Sequence, residues 1–242
     1  MNRFVKQDFL RLQEYLENYS LASDLGAKAR EDLLKRAHKH TLASLQVWSC
    51  LERNATEGAL VLSGNAMPAG SEQLAQLSEF FSDLVSALLL SVHGLYKPAH
   101  MSIRSGIETF VRGLAALTSN EARTTTSVYR LFEIAAQQPP FVGKAAAHFH
   151  RLNTSYGELC LFTHSATPAH MVRNYALAAF PRQDTVQMRS VVRHLEQVVN
   201  AALSVLVLAY RDAYLQIPAA AREVLDEVLP PAVKIYALGG SR

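Results

Sequence analysis

The sequence predicts an all-α single domain built as a bundle of roughly seven to nine helices. Apolar residues recur three and four positions apart along most of the 242 residues, and strand-like alternation of apolar and polar residues is rare. Hydrophobic residues make up 49% of the chain and charged residues 19%, which is enough apolar material for a large core. Because no shift in composition divides the chain, we expect residues 1–242 to form one domain.

The first two predicted helices span about Val5–Leu21 and about Ala27–Arg53, with Gly26 between them. Together they could form an N-terminal helical hairpin over residues 5–53. A loop is expected over about residues 54–70, because four turn-forming residues fall there: Gly58, Gly64, Pro68 and Gly70.

Two helices with clear apolar stripes are expected next. Ser71 is suited to be the N-cap of a helix that ends near Leu95, and Pro98 suits the first turn of a helix to about Leu117. The second helix places its apolar side chains on one face: Ile103, Ile107, Phe110, Leu114 and Leu117. Small residues beside this stripe would let another helix approach closely: Ser102, Ser105, Gly106, Thr109 and Gly113.

The second half of the chain continues the helical pattern. Thr126 or Ser127 could cap a short helix to about Gln138, which Pro139 and Pro140 would end. Three more helices are expected over about Val142–Phe162, Asp184–Leu215 and Ala219–Val228.

Charge, apolar runs and cysteine content narrow the setting of the protein. The net charge is +3, which is compatible with nucleic acid without being evidence for it. The start of the chain lacks the apolar core of a signal peptide, and the runs Leu84–Val92 and Ala201–Tyr210 are too short to cross a bilayer. Cys50 and Cys160 are expected to be free, buried thiols in a reducing compartment. We therefore expect a cytoplasmic protein with no membrane attachment.

A local sequence pattern carries a family resemblance. In the stretch from Gly94 to Glu108, a glycine and an aromatic residue lead into a helix that bears alanine, then Arg104 and a serine, then the glutamate. Further on, Tyr156 begins an aromatic-x-x-Leu pattern that is followed by His164. Together these features resemble the HEPN-like helical superfamily of bacterial defence and abortive-infection proteins.

The resemblance implies a bacterial antiviral-defence or toxin-type protein. Members of the superfamily include ribonuclease toxins, abortive-infection proteins and non-catalytic RNA-binding subunits. We therefore expect the chain to bind RNA or a nucleotide, without a cofactor, as a homodimer or with a protein partner from the same defence operon. The alternative is a non-catalytic helical subunit that acts as a scaffold in a larger defence complex.

The candidate catalytic residues are Arg104, Glu108 and His164. Arg104 and Glu108 lie one helical turn apart and could pair, with Arg112 extending the series; an ordinary surface ion pair is the alternative interpretation. In a crevice, the guanidinium could hold a phosphate while the imidazole moves a proton during attack of a 2′-OH on the phosphodiester. Tyr156 and Arg112 would then contact the substrate of a metal-independent endoribonuclease.

A second candidate is the pair Arg189 and His194. Ribonuclease members of the superfamily carry an arginine and then a histidine with four to six residues between them, and this pair gives one match. Five helical steps of about 100° place the two side chains roughly 140° apart, which weakens the match. By the same geometry His148 and His150 point apart, so no metal site is expected.

Overall fold

The computed structural model describes residues 2–18, 28–56, 70–171 and 184–239. Over these ranges the chain forms helices and no strands, which confirms the predicted all-α class. Eleven α-helices are seen there, nine of them with seven or more residues. Their bounds are α1 Arg3–Asn18, α2 Lys28–Thr56, α3 Ser71–Val92, α4 Tyr96–Ala115, α5 Asn120–Thr124, α6 Val128–Ala135, α7 Ala146–Thr163, α8 Thr185–Ala209, α9 Arg211–Leu215, α10 Ala219–Asp226 and α11 Pro231–Ala237.

Two of the long helices, α2 and α8, run side by side in the same direction. Near their starts, Nε of Arg36 donates to Oε1 of Glu196 at 2.8 Å. Farther along both helices, Val47 and Leu51 line the same small cavity as Leu206. Because the contacts advance together along the two helices, the pairing is parallel, and the intervening chain must return along the whole bundle.

Helix α4 also runs parallel to α8, whereas α7 is antiparallel to both. The Tyr96 hydroxyl accepts from the backbone N–H of Asp184 at 2.9 Å, just before α8 begins. At the same end of α4, Nζ of Lys97 donates to the Ser165 hydroxyl at 2.8 Å, immediately after α7 ends. The three helices α4, α7 and α8 therefore pack against one another, and they carry the candidate site residues named from the sequence except His164, which directly follows α7.

Helix α3 packs tightly and antiparallel against the glycine-bearing side of α4. A Cβ added at Gly106 would lie 3.2 Å from Cδ2 of Phe80, and one at Gly113 would lie 3.0 Å from Cβ of Gln76. The Ser102 hydroxyl donates across the same contact to the backbone oxygen of Asp83 at 3.1 Å. The small residues of α4 thus allow a close helix–helix approach, as the sequence predicted.

The core is one continuous cluster of apolar side chains drawn from the helices around it. The predicted stripe of α4 lies inside it, and Ile103, Ile107, Phe110 and Leu114 are fully buried. Burial of one such side chain contributes about 1.5–3 kcal/mol. This stripe therefore fixes which sides of α4 remain for other contacts.

Several predicted helix boundaries are wrong. The helix expected to reach Leu215 ends at Ala209, because Tyr210 leaves helical geometry (φ −121°, ψ 53°) while its ring is buried. The cap of α3 is Gly70 rather than Ser71. Ser127 caps α6, as expected, by accepting from the N–H of Arg130. Helices α5 and α11 were not predicted, since both are too short to show a periodic pattern.

Two sequence predictions fall wholly or partly outside the described residues. They concern the turn of the N-terminal hairpin at 19–27 and the loop over 57–69. The start of the predicted loop is corrected, since residues 54–56 continue α2. Asn54 is stabilised there because its side-chain amide donates to the backbone oxygen of Cys50 at 2.8 Å.

By length and composition alone, α3 and α8 are apolar enough to cross a membrane. The most apolar window of α8 is 72% buried inside the fold, and that of α3 is 44% buried. Core helices pass the same test, and both helices contribute to the core cluster. The apolar character of α8 is thus largely accounted for by packing.

Candidate functional site

Arg104 lies at the contact between α4 and α7, where two side chains of α7 orient its guanidinium. Its Nη2 donates to the Tyr156 hydroxyl at 2.7 Å, and its Nε donates to Sγ of Cys160 at 3.3 Å. The guanidinium carbon also lies 4.9 Å from the centre of the Tyr156 ring, within the range of a cation–π contact. The arginine is therefore part-buried and held in one orientation.

No carboxylate within the described parts of the chain neutralises Arg104 at ion-pair distance. Glu108, one turn away, pairs instead with Arg112, with Oε1 and Nη2 separated by 3.1 Å. Burial acts to lower the pKa of Arg104, but the hydrogen bond to Cys160 and the electrostatic effects of Tyr156, Cys160 and Glu108 more than offset it, so the pKa is raised. Arg104 is thus a positive charge whose orientation is set by Tyr156 and Cys160.

The Tyr156 hydroxyl stays protonated at neutral pH. Burial is the main cause that raises its pKa to about 12, against the opposing effect of the Arg104 charge. Its oxygen accepts from Arg104, and its hydroxyl also hydrogen-bonds with Cys160. The prediction that Tyr156 contacts substrate stays untested, but the residue is placed beside the candidate phosphate-binding arginine.

Arg112 makes structural contacts. Its Nη1 donates to the backbone oxygens of Ala122 and Thr125, at 3.1 Å and 2.7 Å, while Nη2 reaches Glu108. These contacts tie α4 to the middle and to the C-terminal cap of the short helix α5. They give a structural reason for Arg112, and its predicted role in substrate binding has no contact that supports it.

His164 follows the last residue of α7, one turn beyond Cys160 and two turns beyond Tyr156. Its side chain is exposed, and its backbone N–H donates to the oxygen of Cys160 at 3.0 Å. On a helix, residues four apart share a face, so His164 continues the row of Tyr156 and Cys160. Among the described residues, no hydrogen bond or ion pair joins His164 to Arg104 or Glu108, so the expected meeting of the three residues stays a prediction.

Arg189 and His194 have different surroundings. Arg189 is exposed, whereas His194 is 0% exposed, with its Nε2 3.1 Å from Oε2 of Glu158 on α7. This separation agrees with their expected angle around the helix. A fully enclosed imidazole offers no nitrogen to a substrate, so the pair does not form an open catalytic site here.

A buried histidine pair at the junction of α4, α7 and α8 was not predicted. The rings of His100 and His194 lie 5.2 Å apart, and His100 stacks on Phe162 at 4.0 Å. Burial, followed by the charge of His194, lowers the pKa of His100 to about 3. Burial also lowers the pKa of His194. His100 precedes Ile103 in the apolar stripe of α4 by three positions, which was the available signal for its burial.

A polar groove of about 500 Å³ lies between α7 and α8, on the other side of α7 from Arg104. Its floor includes Ser155, which is 3% exposed, and its rim includes Arg151 and Glu158. The remaining lining residues are Ala147, His150, Thr154 and Gln197. In the part of the chain that the structure describes, no group of three or more His, Cys, Asp or Glu side chains could hold a metal ion.

Comparison of the chain with protein-family models, curated proteins and solved structures finds no match. The HEPN-like resemblance therefore remains a prediction from the sequence pattern. What the structure adds is the position of Arg104, Tyr156 and Cys160 within one contact between two helices.

Proposed function

We propose that this protein is a HEPN-like helical protein of bacterial defence that binds RNA or a nucleotide through Arg104. In this proposal it acts in the cytoplasm as a homodimer or with a protein partner. One observation supports the proposal above the others. The Arg104 guanidinium is part-buried and oriented by Tyr156 and Cys160, with no carboxylate partner among the described side chains.

The chemistry of this arginine suits a phosphate. A guanidinium carries five N–H donors, and the contacts to Tyr156 and Cys160 use one at Nη2 and one at Nε, which leaves about three. Arginine matches the oxygens of a phosphate in a planar, bidentate geometry. Because the side chain is already ordered, binding a phosphate costs little further conformational entropy.

The proposal extends to metal-independent cleavage of RNA, with His164 as the proton acceptor. The imidazole would take the proton of a 2′-OH as the O2′–P bond forms and the P–O5′ bond breaks, and a water molecule would protonate the departing O5′, with the resulting hydroxide taking up the proton held by the imidazolium. Arg104 would stabilise the charge that develops on the phosphate oxygens. His164 is exposed and therefore accessible to such a substrate.

Fluorescence anisotropy with a labelled single-stranded RNA tests the binding step. We expect Arg104→Gln to weaken binding about tenfold or more and to reduce the slope of log K against log salt by about 0.7, the value for one phosphate contact on a single strand. Arg123→Gln is the matched control, since Arg123 is an exposed arginine paired with Glu72. Equal effects of the two substitutions, or no binding by the wild type, would contradict the proposal.

Cleavage is tested separately with the same RNA in the presence of a chelator. We expect His164→Gln to abolish cleavage while leaving the anisotropy titration nearly unchanged, because a proton acceptor contributes to the transition state more than to binding. His150→Gln serves as the control, since His150 is an exposed histidine of the same helix. If the wild type leaves the RNA intact, the proposed cleavage is wrong, and the proposed binding of RNA is unaffected.

A further inference from the structure

Gly157 is an exposed residue in the middle of α7 that the fold itself does not require. A Cβ added there would meet no described atom within 4 Å outside its own helix backbone, and its φ is not positive. Glycine inside a helix lowers helix stability relative to alanine. Gly106 and Gly113 have a packing reason, the close approach of α3, and Gly157 has none.

The position of Gly157 lies between the two polar regions on either side of α7. At about 100° per residue, Tyr156 and Cys160 fall on one side of Gly157, and Glu158 and Arg151 fall on the other. Tyr156 and Cys160 hold Arg104, while Glu158 and Arg151 line the groove between α7 and α8. Because Gly157 has no side chain, the surface of α7 is lower at this position, between the Arg104 contact and the groove of α7 and α8.

The groove offers donors that suit a second phosphate. Arg151 is exposed and forms no ion pair with another described residue. The Ser155 side chain is almost fully buried, lines the groove and makes no hydrogen bond to the described chain. Glu158 is held in place by His194, so one carboxylate oxygen is fixed and the other can accept from a ribose hydroxyl or a base amine.

We infer that a single RNA strand crosses α7 at Gly157, with one phosphate on Arg104 and a following segment in the α7–α8 groove at Arg151 and Ser155. This inference rests on the proposed function. The proposed function leaves open whether the ligand is RNA or a nucleotide, and the inference favours an RNA strand of several nucleotides over a mononucleotide. A strand that passes over a helix must approach its backbone, and a glycine permits that approach. The missing side chain is then a condition for continuous binding.

Two ligands are used to test the inference separately from the proposed function. The first is a labelled single-stranded RNA of about ten nucleotides, a length within the site sizes of proteins that bind single strands. The second is adenosine monophosphate, which competes for the Arg104 site. We expect Gly157→Leu to weaken binding of the RNA about tenfold, the cost of losing roughly one nucleotide contact, and to leave binding of the monophosphate unchanged. Arg151→Gln should lower the salt slope for the RNA by about 0.7 without affecting the monophosphate.

The substitution at Gly157 should not disturb the fold. The melting temperatures of Gly157→Leu and Gly157→Ala are expected to equal or exceed that of the wild type, because both replacements favour helix and meet open space. Ala29→Leu on α2 is the matched control for an added exposed leucine, and it should leave RNA affinity unchanged. A single-stranded DNA of the same sequence is expected to bind more weakly, since it lacks the 2′-OH.

The outcomes are distinguishable. If RNA binding depends on Arg104 but is unaffected by Gly157→Leu and Arg151→Gln, the crossing is overturned and the proposed function stands. If the wild type binds neither ligand, the proposed function fails and the inference fails with it. Equal loss of RNA and monophosphate binding in Gly157→Leu would also overturn the crossing, because the substitution would then act on the Arg104 site itself.

Discussion

The two sides of α4 show two different uses of the same helix. Toward α3, Gly106 and Gly113 allow contact at the limit of van der Waals packing, and the polar group of Ser102 is satisfied by Asp83. Toward α7, Arg104 keeps about three N–H donors that its contacts with Tyr156 and Cys160 do not use. The first side is occupied by close packing against α3, whereas the second side retains N–H donors that a ligand or water can use.

The glycines repeat this contrast. At Gly113 close packing compensates for the lower helix stability of glycine, since an added Cβ would lie 3.3 Å from the backbone oxygen of Gln73. At Gly157 the helix gives up about 1 kcal/mol relative to alanine, and nothing within the described fold compensates for that loss. A residue that costs stability without a packing reason is the kind of position where function is expected.

The largest expected effect is a loss of folding stability at acidic pH. The folded-state pKa of His100 is about 3, whereas an unfolded histidine titrates near 6.5, so stability is fully present above pH 6.5 and is lost as pH falls toward 3. At about 1.36 kcal/mol per pH unit, the loss from His100 alone is about 3 kcal/mol at pH 4. Urea unfolding at pH 7, 6, 5 and 4 measures it.

A matched variant isolates the histidine from other titrating groups. His100→Gln removes the titrating ring, so its unfolding free energy should change less with pH than that of the wild type by a similar amount. The groups that face His100 are His194 and Arg193 on α8, and neither is changed by the substitution. An unaltered pH dependence in His100→Gln would show that the junction of α4, α7 and α8 is not the source.

The next effect tests the packed side of α4. Gly113→Val should lower the free energy of unfolding by about 2 kcal/mol, because the new side chain meets Gln76 and the backbone at Gln73 with no room to move. Thermal denaturation should show a fall of about 4–8 °C for a chain of this size. RNA affinity per folded molecule should be unchanged, and a stability equal to the wild type would contradict the close approach of α3.

The smallest expected effect is the difference in folding stability between substitutions at Arg112 and at Arg104. Arg112→Ala should cost about 1.5–2 kcal/mol, since Glu108 and the backbone oxygens of Ala122 and Thr125 lose a charged donor. Arg104→Ala should cost less, because its partners can turn to solvent, yet it should lose far more RNA affinity. Chemical denaturation paired with anisotropy makes the comparison, and a reversed order of the two stabilities would contradict it.

Much of the fold could be predicted because local pattern and packing agree along the long helices. The apolar stripe from Ile103 to Leu114 is buried as expected, and the small residues beside it meet a neighbouring helix. The break at Tyr210 could not be predicted, since tertiary burial of one ring overrides a continuous helical pattern. Short helices such as α5 depend on hydrogen bonds from distant side chains, here from Arg112 to the backbone of α5, and no local sequence pattern shows such contacts.

The candidate site was only partly predictable. The sequence singled out Arg104 and Tyr156, and they are in direct contact. The expected pairing of Arg104 with Glu108 does not form, because Arg112 offers the same carboxylate a partner that is also fixed by backbone oxygens. The contact with Cys160, 56 residues away, could not be read from spacing along the chain. Neither could the burial of His194 against Glu158.

The parallel pairing of α2 with α8 has a consequence for synthesis. Arg36 and Glu196 are separated by 160 residues, so α2 emerges from the ribosome long before its main partner exists. At translation rates of about 5–20 residues per second, that interval lasts roughly 8–32 s. Throughout it, the apolar side of α2 must be covered by the helices made in between or by a chaperone.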